Sequence, residues 1–187
     1  KRKLLLIVLP FIVESIFAKG VKTRSFLAFP YGPLTIASYI KSKNKCHEVK
    51  ILDLNLFDND ENSLLDVISD ELNGFKPDIV VMSMMFDQSY SYVDKLANLI
   101  KHNNKNIPVI LGGASASTAW SEIVEEQKNI DAVCFSEGEV SILNLMNSED
   151  LFEEFKKDPW VTFEKLEQNG KNYKPKSIVE NNLNAVV

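Results

Sequence analysis

Short apolar runs alternate with longer amphipathic segments along most of the chain. Continuous apolar runs are typical of strands buried on both faces, whereas apolar positions three and four residues apart predict helices. The runs predict five strands, at residues 4–9, 49–54, 78–83, 107–111 and 131–135. The helical spacing predicts a helix after each strand, at residues 33–43, 63–74, 92–100, 123–124 and 138–146.

This order of elements decides the predicted fold class. Strands that alternate with helices form a parallel sheet with right-handed crossovers. The pattern therefore predicts an α/β fold, a flavodoxin-like (Rossmann-like) doubly wound five-stranded parallel sheet with helices on both faces. Such sheets bind ligands outside the carboxyl ends of the strands, where the strand order reverses.

Two segments fall outside this alternation. Residues 10–32 carry Gly and Pro with little periodicity, and loops of this length are usually functional or disordered. Further along we expect a short helix at 151–155, a hairpin from 160–163 through a turn at 168–171, and a linker from Lys174.

We expect a domain over residues 1–148 and an extension over 149–187 that leads toward a further domain. The chain lacks an initiator Met, and it ends on Ala185, Val186 and Val187 with no closing element. We therefore expect it to be a fragment of a longer polypeptide.

Composition and charge narrow the function classes. The chain has 21 Lys and Arg against 26 Asp and Glu, a net charge of -5, without a basic cluster, so we expect no nucleic-acid partner. The apolar run at 4–9 is too short to span a membrane and is interrupted by Pro10, so we expect neither a membrane partner nor a signal peptide. Cys46 and Cys134 are too far apart in sequence to indicate a disulfide framework or a metal site, which favours a reducing, cytoplasmic location.

Candidate binding residues gather at the predicted strand ends. They are Pro10, Asp53, Ser83, Met84, Gly112, Gly113, Ser136, Glu137, Gly138 and Glu139. Each has a structural explanation when taken alone, because Asp53 can cap a loop, Ser83 can bond to its own backbone, and paired glycines can satisfy a tight turn.

Taken together, these residues indicate a cofactor. Paired glycines let a bulky ligand approach the backbone, and the helix after Gly138 presents N–H groups that suit a phosphate or carboxylate. Small residues at 115–118 leave room for a flat ring or a nucleotide tail. We therefore predict a cofactor with a phosphate and a large planar part, and these features do not identify it further.

Six segments in order carry a family resemblance, at residues 3–7, 31–37, 47–53, 76–80, 107–113 and 136–139. Together they resemble the N-terminal cobalamin-binding domain of radical S-adenosylmethionine enzymes, which include methyltransferases and anaerobic porphyrin-ring cyclases. The resemblance implies a corrinoid over the carboxyl ends of the strands, with its nucleotide tail running into the domain. It implies that Ser83 faces the tail, that Gly112 and Gly113 let the tail pass, and that residues 136–139 lie near the ligand.

The chain departs from this family at two points. Classical cobalamin domains carry Asp-x-His-x-x-Gly after the first strand, where the His binds cobalt, and the loop that follows Pro10 here contains no His. We expect His47 and His102 to be surface or capping residues, so no protein ligand to cobalt or other metal ligand is predicted. Ser136 stands where Gly is usual.

The radical chemistry is expected outside this chain. An open iron–sulfur cluster needs three thiolates, and the signature Cys-x-x-x-Cys-x-x-Cys is absent. The resemblance thus implies that the iron–sulfur cluster and S-adenosylmethionine bind only in a downstream catalytic domain of the same polypeptide. We do not expect this chain to catalyse a reaction alone.

Three functions remain open on the sequence. The first is a cobalamin-binding module that supports methyl transfer or a related radical reaction. The second is a degenerate scaffold or substrate-recognition domain of the same fold without cofactor. The third is a flavodoxin-like or receiver-like signalling domain. It ranks last, because Pro10 and Phe11 provide neither the carboxylates of a receiver nor the phosphate loop of a flavin site.

Overall fold

A computed structural model describes residues 1–14, 20, 22–24, 28–58, 60–170 and 173–179. Its strands are β1 (Lys3–Val8), β2 (Ile12–Glu14), β3 (Lys22–Arg24), β4 (Glu48–Asp53), β5 (Ile79–Ser83), β6 (Val109–Gly112), β7 (Ala132–Cys134) and β8 (Trp160–Val161). Six of them form the main sheet in the order β4-β1-β5-β6-β7-β8. The first five are parallel, and β8 is antiparallel to β7. The predicted doubly wound parallel sheet is confirmed, with one additional edge strand.

Helices cover both faces of the sheet. They are α1 (Tyr31–Lys43), α2 (Glu61–Phe75), α3 (Tyr90–Asn103), α4 (Ala114–Thr118), α5 (Trp120–Glu126), α6 (Glu139–Asn147), α7 (Leu151–Glu154) and α8 (Phe163–Asn169), with short 3-10 turns at Leu54–Leu56 and Asp87–Ser89. Within the described part of the chain, none of these helices has the length and apolarity needed to cross a membrane.

Alternation of side chains along the strands divides the core into two layers. Leu4 and Leu6 of β1 pack in one apolar cluster with residues of α1 and α6. Leu5 and Ile7 of the same strand pack in a second cluster with residues of α2 and α3. Successive strand residues point to opposite faces, so a continuous apolar run is what a strand covered by helices on both sides requires.

The hairpin predicted at 160–171 is wrong. The strand comprises Trp160 and Val161 alone, and residues 163–169 form α8. Thr162 caps this helix by accepting a hydrogen bond from the Lys165 N–H at 3.3 Å, and the side chain of Leu166 in the helix is buried. The fully buried Trp160 ring packs edge-on against Phe155, with 5.4 Å between ring centroids. The strand therefore ends after two residues because Thr162 caps the helix that begins at Phe163.

The other irregular segments differ from one another. Part of 10–32, which carries little periodicity, forms an antiparallel ribbon of β2 and β3, and residues 15–19, 21 and 25–27 lie outside the described residues. The short helix predicted at 151–155 is confirmed as α7. Residues 173–179 contain neither helix nor strand. Because β8 lies in the main sheet, the boundary at 148 does not mark the end of that sheet, and the division into domain and extension stays a prediction.

Candidate functional site

A cavity of about 180 Å³ opens at the carboxyl edge of the main sheet. The ends of β5, β6 and β7 form its base, and the first turns of α1 and α6 flank it. Its lining consists of Leu6, Gly32, Pro33, Ile36, Val81, Met82, Ser83, Gly112, Gly113, Cys134, Ser136, Glu137, Gly138, Glu139 and Ile142. Parallel strands all end at one edge, and this shared edge brings residues from distant parts of the sequence together.

Seven of the candidates identified in the sequence line this cavity. They are Ser83, Gly112, Gly113, Ser136, Glu137, Gly138 and Glu139. The register explains the meeting of the first two, because Ser83 at the end of β5 lies beside Gly112 at the end of β6. Residues 136–139 reach the same place as the turn between β7 and α6.

The other three candidates lie outside the cavity lining. Asp53 accepts hydrogen bonds from the Asn55 backbone N–H at 3.0 Å and from Asn55 Nδ2 at 2.9 Å. The Pro10 carbonyl accepts from Ser89 Oγ at 2.9 Å. Met84 is buried in the core, and its N–H donates to the Gly112 carbonyl at 2.7 Å. Their contacts hold the loops that leave β1, β4 and β5.

Glycine occupies positions 112 and 113 for different structural reasons. Gly113 has φ +105°, and a Cβ there would lie 2.5 Å from the Met84 carbonyl oxygen. The fold itself therefore requires glycine at this position. A Cβ at Gly112 would lie 3.7 Å from Cys134 Cβ, an ordinary contact with a residue of the cavity lining. A larger side chain at Gly112 would extend into the cavity.

The turn after β7 is held in an uncommon conformation. Ser136 has φ +70°, a left-handed value that non-glycine residues adopt at a cost. Its N–H donates to Ser117 Oγ at 2.9 Å, which ties the turn to α4. The turn therefore presents Glu137 and Gly138 to the cavity from a fixed backbone.

Carboxylates are the charged groups among the described lining residues. Glu139 accepts a hydrogen bond from Thr35 Oγ1 at 2.8 Å, which joins α6 to α1. Burial raises the pKa of the Cys134 thiol to about 12, and the nearby Glu139 carboxylate adds to this effect. The two carboxylates repel a phosphate at this wall and accept hydrogen bonds from amide groups instead, whereas the neutral thiol adds no charge.

Sequence reasoning missed the contribution of α1 to the cavity. Gly32, Pro33 and Ile36 line it, although Gly32 was expected only to end the irregular segment and the other two only to lie in a helix. A signal existed in the Gly-Pro pair that opens the helix, because both residues bring backbone close to a neighbour without a long side chain. The helix follows a long irregular segment, so periodicity alone could not show which part of its first turn faces the sheet edge.

Both histidines lie at the opposite, amino edge of the sheet. The Arg2 N–H donates to His47 Nδ1 at 3.1 Å, and His47 Nε2 lies 2.9 Å from Asn147 Oδ1. His102 lies in the last turn of α3, which precedes β6. Among the described residues, no group of three His, Cys, Asp or Glu side chains could hold a metal ion.

Comparison with known families identifies one match. Residues 20–145 match the model of the B12 binding domain. The matched region runs from the segment before α1 into α6 and contains every cavity residue except Leu6. No curated protein matches the chain.

Proposed function

The chain belongs to the B12-binding domain family, and from this premise we propose that it binds cobalamin and serves a radical S-adenosylmethionine enzyme. In this proposal the carboxyl-edge cavity takes the nucleotide tail of cobalamin, and the corrin ring lies over the strand ends. The catalytic domain follows in the same polypeptide. The observation that carries the proposal is the cavity at the ends of β5, β6 and β7, inside the region matched to the family.

The residues present fit one part of this cofactor. A cavity of about 180 Å³ is smaller than sites that enclose a drug-sized ligand, typically about 300–1,000 Å³. It suits a flat base with Pro33, Ile36 and Ile142 as apolar walls. Glu137 and Glu139 can accept hydrogen bonds from the amide side chains at the rim of the corrin ring.

Bound cobalamin supplies a redox-active cobalt suited to methyl transfer or a related radical reaction. The residues of this chain position it and exclude water from its tail. No histidine accompanies the cavity, since His47 and His102 are both at the amino edge. We therefore propose that cobalt receives no imidazole from this domain.

The link to radical chemistry rests on the ordered segments of the sequence that resemble such enzymes. Cys46 is exposed near the amino edge, and Cys134 is buried with a raised pKa. Two thiols so placed cannot supply the three thiolates of an open cluster. The cluster, S-adenosylmethionine and the substrate are assigned in this proposal to the downstream domain.

A second candidate is a scaffold of the same fold that binds no cofactor. The observation that favours it is the pair of carboxylates in the cavity lining, which disfavour a phosphate. It predicts a folded protein that retains no corrinoid, either as this chain or within the full polypeptide.

The test is the visible spectrum of the purified chain after incubation with hydroxocobalamin and desalting. We expect retained corrinoid bands, and we expect Gly112→Leu to weaken binding at least about tenfold because its side chain fills the cavity. Gly74→Leu is the matched control, because Gly74 lies on the exposed face of α2 with open space around it. If neither the chain nor the full polypeptide retains corrinoid, or if Gly112→Leu binds like wild type, the proposal is wrong.

A further inference from the structure

The polar side chains of the carboxyl-edge cavity differ in what they offer a ligand. Ser83 and Ser136 carry hydroxyls, which donate as readily as they accept and therefore suit a ring nitrogen or an amino group equally. Glu137 and Glu139 carry carboxylates, which accept hydrogen bonds and donate none. The carboxylates can therefore discriminate between ligands that have N–H donors and ligands that lack them.

The two carboxylates differ in exposure. Glu137 is exposed, so water and the amide groups at the rim of a corrin ring can reach it. Glu139 is half-buried, and its carboxylate lies close enough to the Cys134 thiol to raise the pKa of that thiol. Cys134 is only 2% exposed. Glu139 is therefore the carboxylate that a group entering the cavity meets.

One oxygen of Glu139 is engaged and the other is available. The Thr35 hydroxyl of α1 donates to Glu139 Oε1 at 2.8 Å, which fixes the direction of the carboxylate. Within the described part of the chain, no group donates a hydrogen bond to Glu139 Oε2. The carboxylate is thus held in place while it keeps one acceptor for a ligand, the support that a preorganised site requires.

The cavity walls next to Glu139 are apolar and close together. A Cβ at Gly138 would lie 3.1 Å from the Cδ1 atoms of both Ile36 and Ile142. A flat base that enters between these walls displaces water from the available Glu139 oxygen. Because a carboxylate that loses water without gaining a donor is destabilised, such a site disfavours ligands that lack the donor.

We propose that this cavity selects a corrinoid by the base of its tail, and that Glu139 favours an aminopurine such as adenine over dimethylbenzimidazole, the base of cobalamin. The inference rests on the proposed function and names the class of corrinoid that the domain prefers. The exocyclic amino group of adenine can donate to Glu139 Oε2. Dimethylbenzimidazole in a corrinoid tail has no N–H, because one ring nitrogen carries the ribose, and a carboxylate repels the lone pair of the other.

Dissociation constants from equilibrium dialysis test this proposal with three ligands. They are hydroxocobalamin, the corresponding corrinoid with adenine as its base, and cobinamide, which has the corrin ring and no base. We expect wild type to bind the adenine corrinoid at least about tenfold more tightly than hydroxocobalamin, because one hydrogen bond to a charged group has an effect of this size.

Glu139→Gln is the variant that isolates the contact, because it keeps the shape of the side chain and removes its charge. The new amide can also donate to the free nitrogen of dimethylbenzimidazole, so the preference for adenine should fall roughly tenfold while cobinamide binding stays unchanged. The two bases also differ in how tightly they hold cobalt, but that difference is the same for every variant and cancels from the comparison. Glu153→Gln, at an exposed carboxylate on α7, is the matched control and should change none of the three constants.

Glu137→Gln separates a contact with the base from a contact with the ring. The corrin ring and its rim amides are common to all three ligands, so this variant should change the three dissociation constants by the same factor. The preference for adenine should therefore stay at the wild-type value. A preference that changes in Glu137→Gln and not in Glu139→Gln overturns the assignment to Glu139.

The outcomes also separate this inference from the proposed function. Wild type that binds none of the three ligands shows that the proposed function has failed. Wild type that binds hydroxocobalamin as tightly as the adenine corrinoid, or more tightly, leaves the proposed function standing and overturns the selection of the base. A folded Glu139→Gln variant that keeps the wild-type preference overturns it as well.

Discussion

The two edges of the main sheet are built from different interactions. At the amino edge, Lys101 Nζ donates to Asp131 Oδ2 at 2.6 Å and to the Ile107 carbonyl at 2.9 Å. The same Asp131 oxygen accepts the Val109 N–H at 2.7 Å. At the carboxyl edge, polar contacts instead hold individual loops, as Ser115 Oγ does by donating to the Met85 carbonyl at 3.0 Å.

Because of this difference, we expect the amino edge to contribute mainly to stability and the carboxyl edge mainly to ligand binding. The amino edge closes the starts of β6 and β7 with a charged network, whereas the carboxyl edge leaves a cavity between fixed loops. Parallel strands followed by helices place helix starts and strand ends at one edge only, so a ligand site and a sealed edge can exist in one sheet. Variants at the two edges should therefore change different measurements.

The largest expected loss of stability tests whether the carboxyl edge also contains a position that tolerates no residue other than glycine. Gly113→Ala should lower the free energy of unfolding by at least about 3 kcal/mol, because its backbone conformation is accessible essentially to glycine alone and the Cβ meets the Met84 carbonyl. Gly112→Ala is the control and should cost less than about 1 kcal/mol, because its Cβ makes an ordinary contact. Urea unfolding measures both, and equal losses would contradict the distinction.

A middle-sized effect is expected at the amino edge. Asp131→Ala should lower the free energy of unfolding by about 2 kcal/mol, because it leaves the Val109 N–H and the Lys101 ammonium without this partner. Corrinoid affinity of the folded protein should not change. Glu153→Ala is the control, since it removes an ion pair whose side chains are more than half exposed and should cost less than about 0.5 kcal/mol. A clear loss of corrinoid affinity in Asp131→Ala would break the separation of the two edges.

The smallest effect sharpens the comparison at the turn after β7. Ser136→Gly should raise the free energy of unfolding by roughly 0.5–1 kcal/mol, because it relieves a positive φ. Lys76→Gly relieves the same kind of conformation at the end of α2 and should give a gain of similar size. Thermal unfolding with and without corrinoid checks both. A gain at Lys76 alone would show that Ser136 is not strained.

Hydrogen bonds between distant residues explain where sequence interpretation reached its limit. Asp53 has the type and place of a ligand-facing carboxylate, yet its side chain holds Asn55. Asn55 in turn holds Leu9 and Phe11, which lie more than 40 residues earlier in the chain. No local pattern reports such a contact, since it depends on β4 lying beside β1.

The sequence by itself determined the five parallel strands, their order along the chain and seven residues of the cavity, because buried strands need continuous apolar runs and strand ends need glycine and small polar residues. Only the tertiary structure decided the rest. It paired β8 with β7 instead of with a hairpin partner, and it brought α1 to the cavity. It also placed Phe11 on Phe86. These outcomes depend on which surfaces meet when the sheet is covered, and burial against a distant partner outweighs local preference.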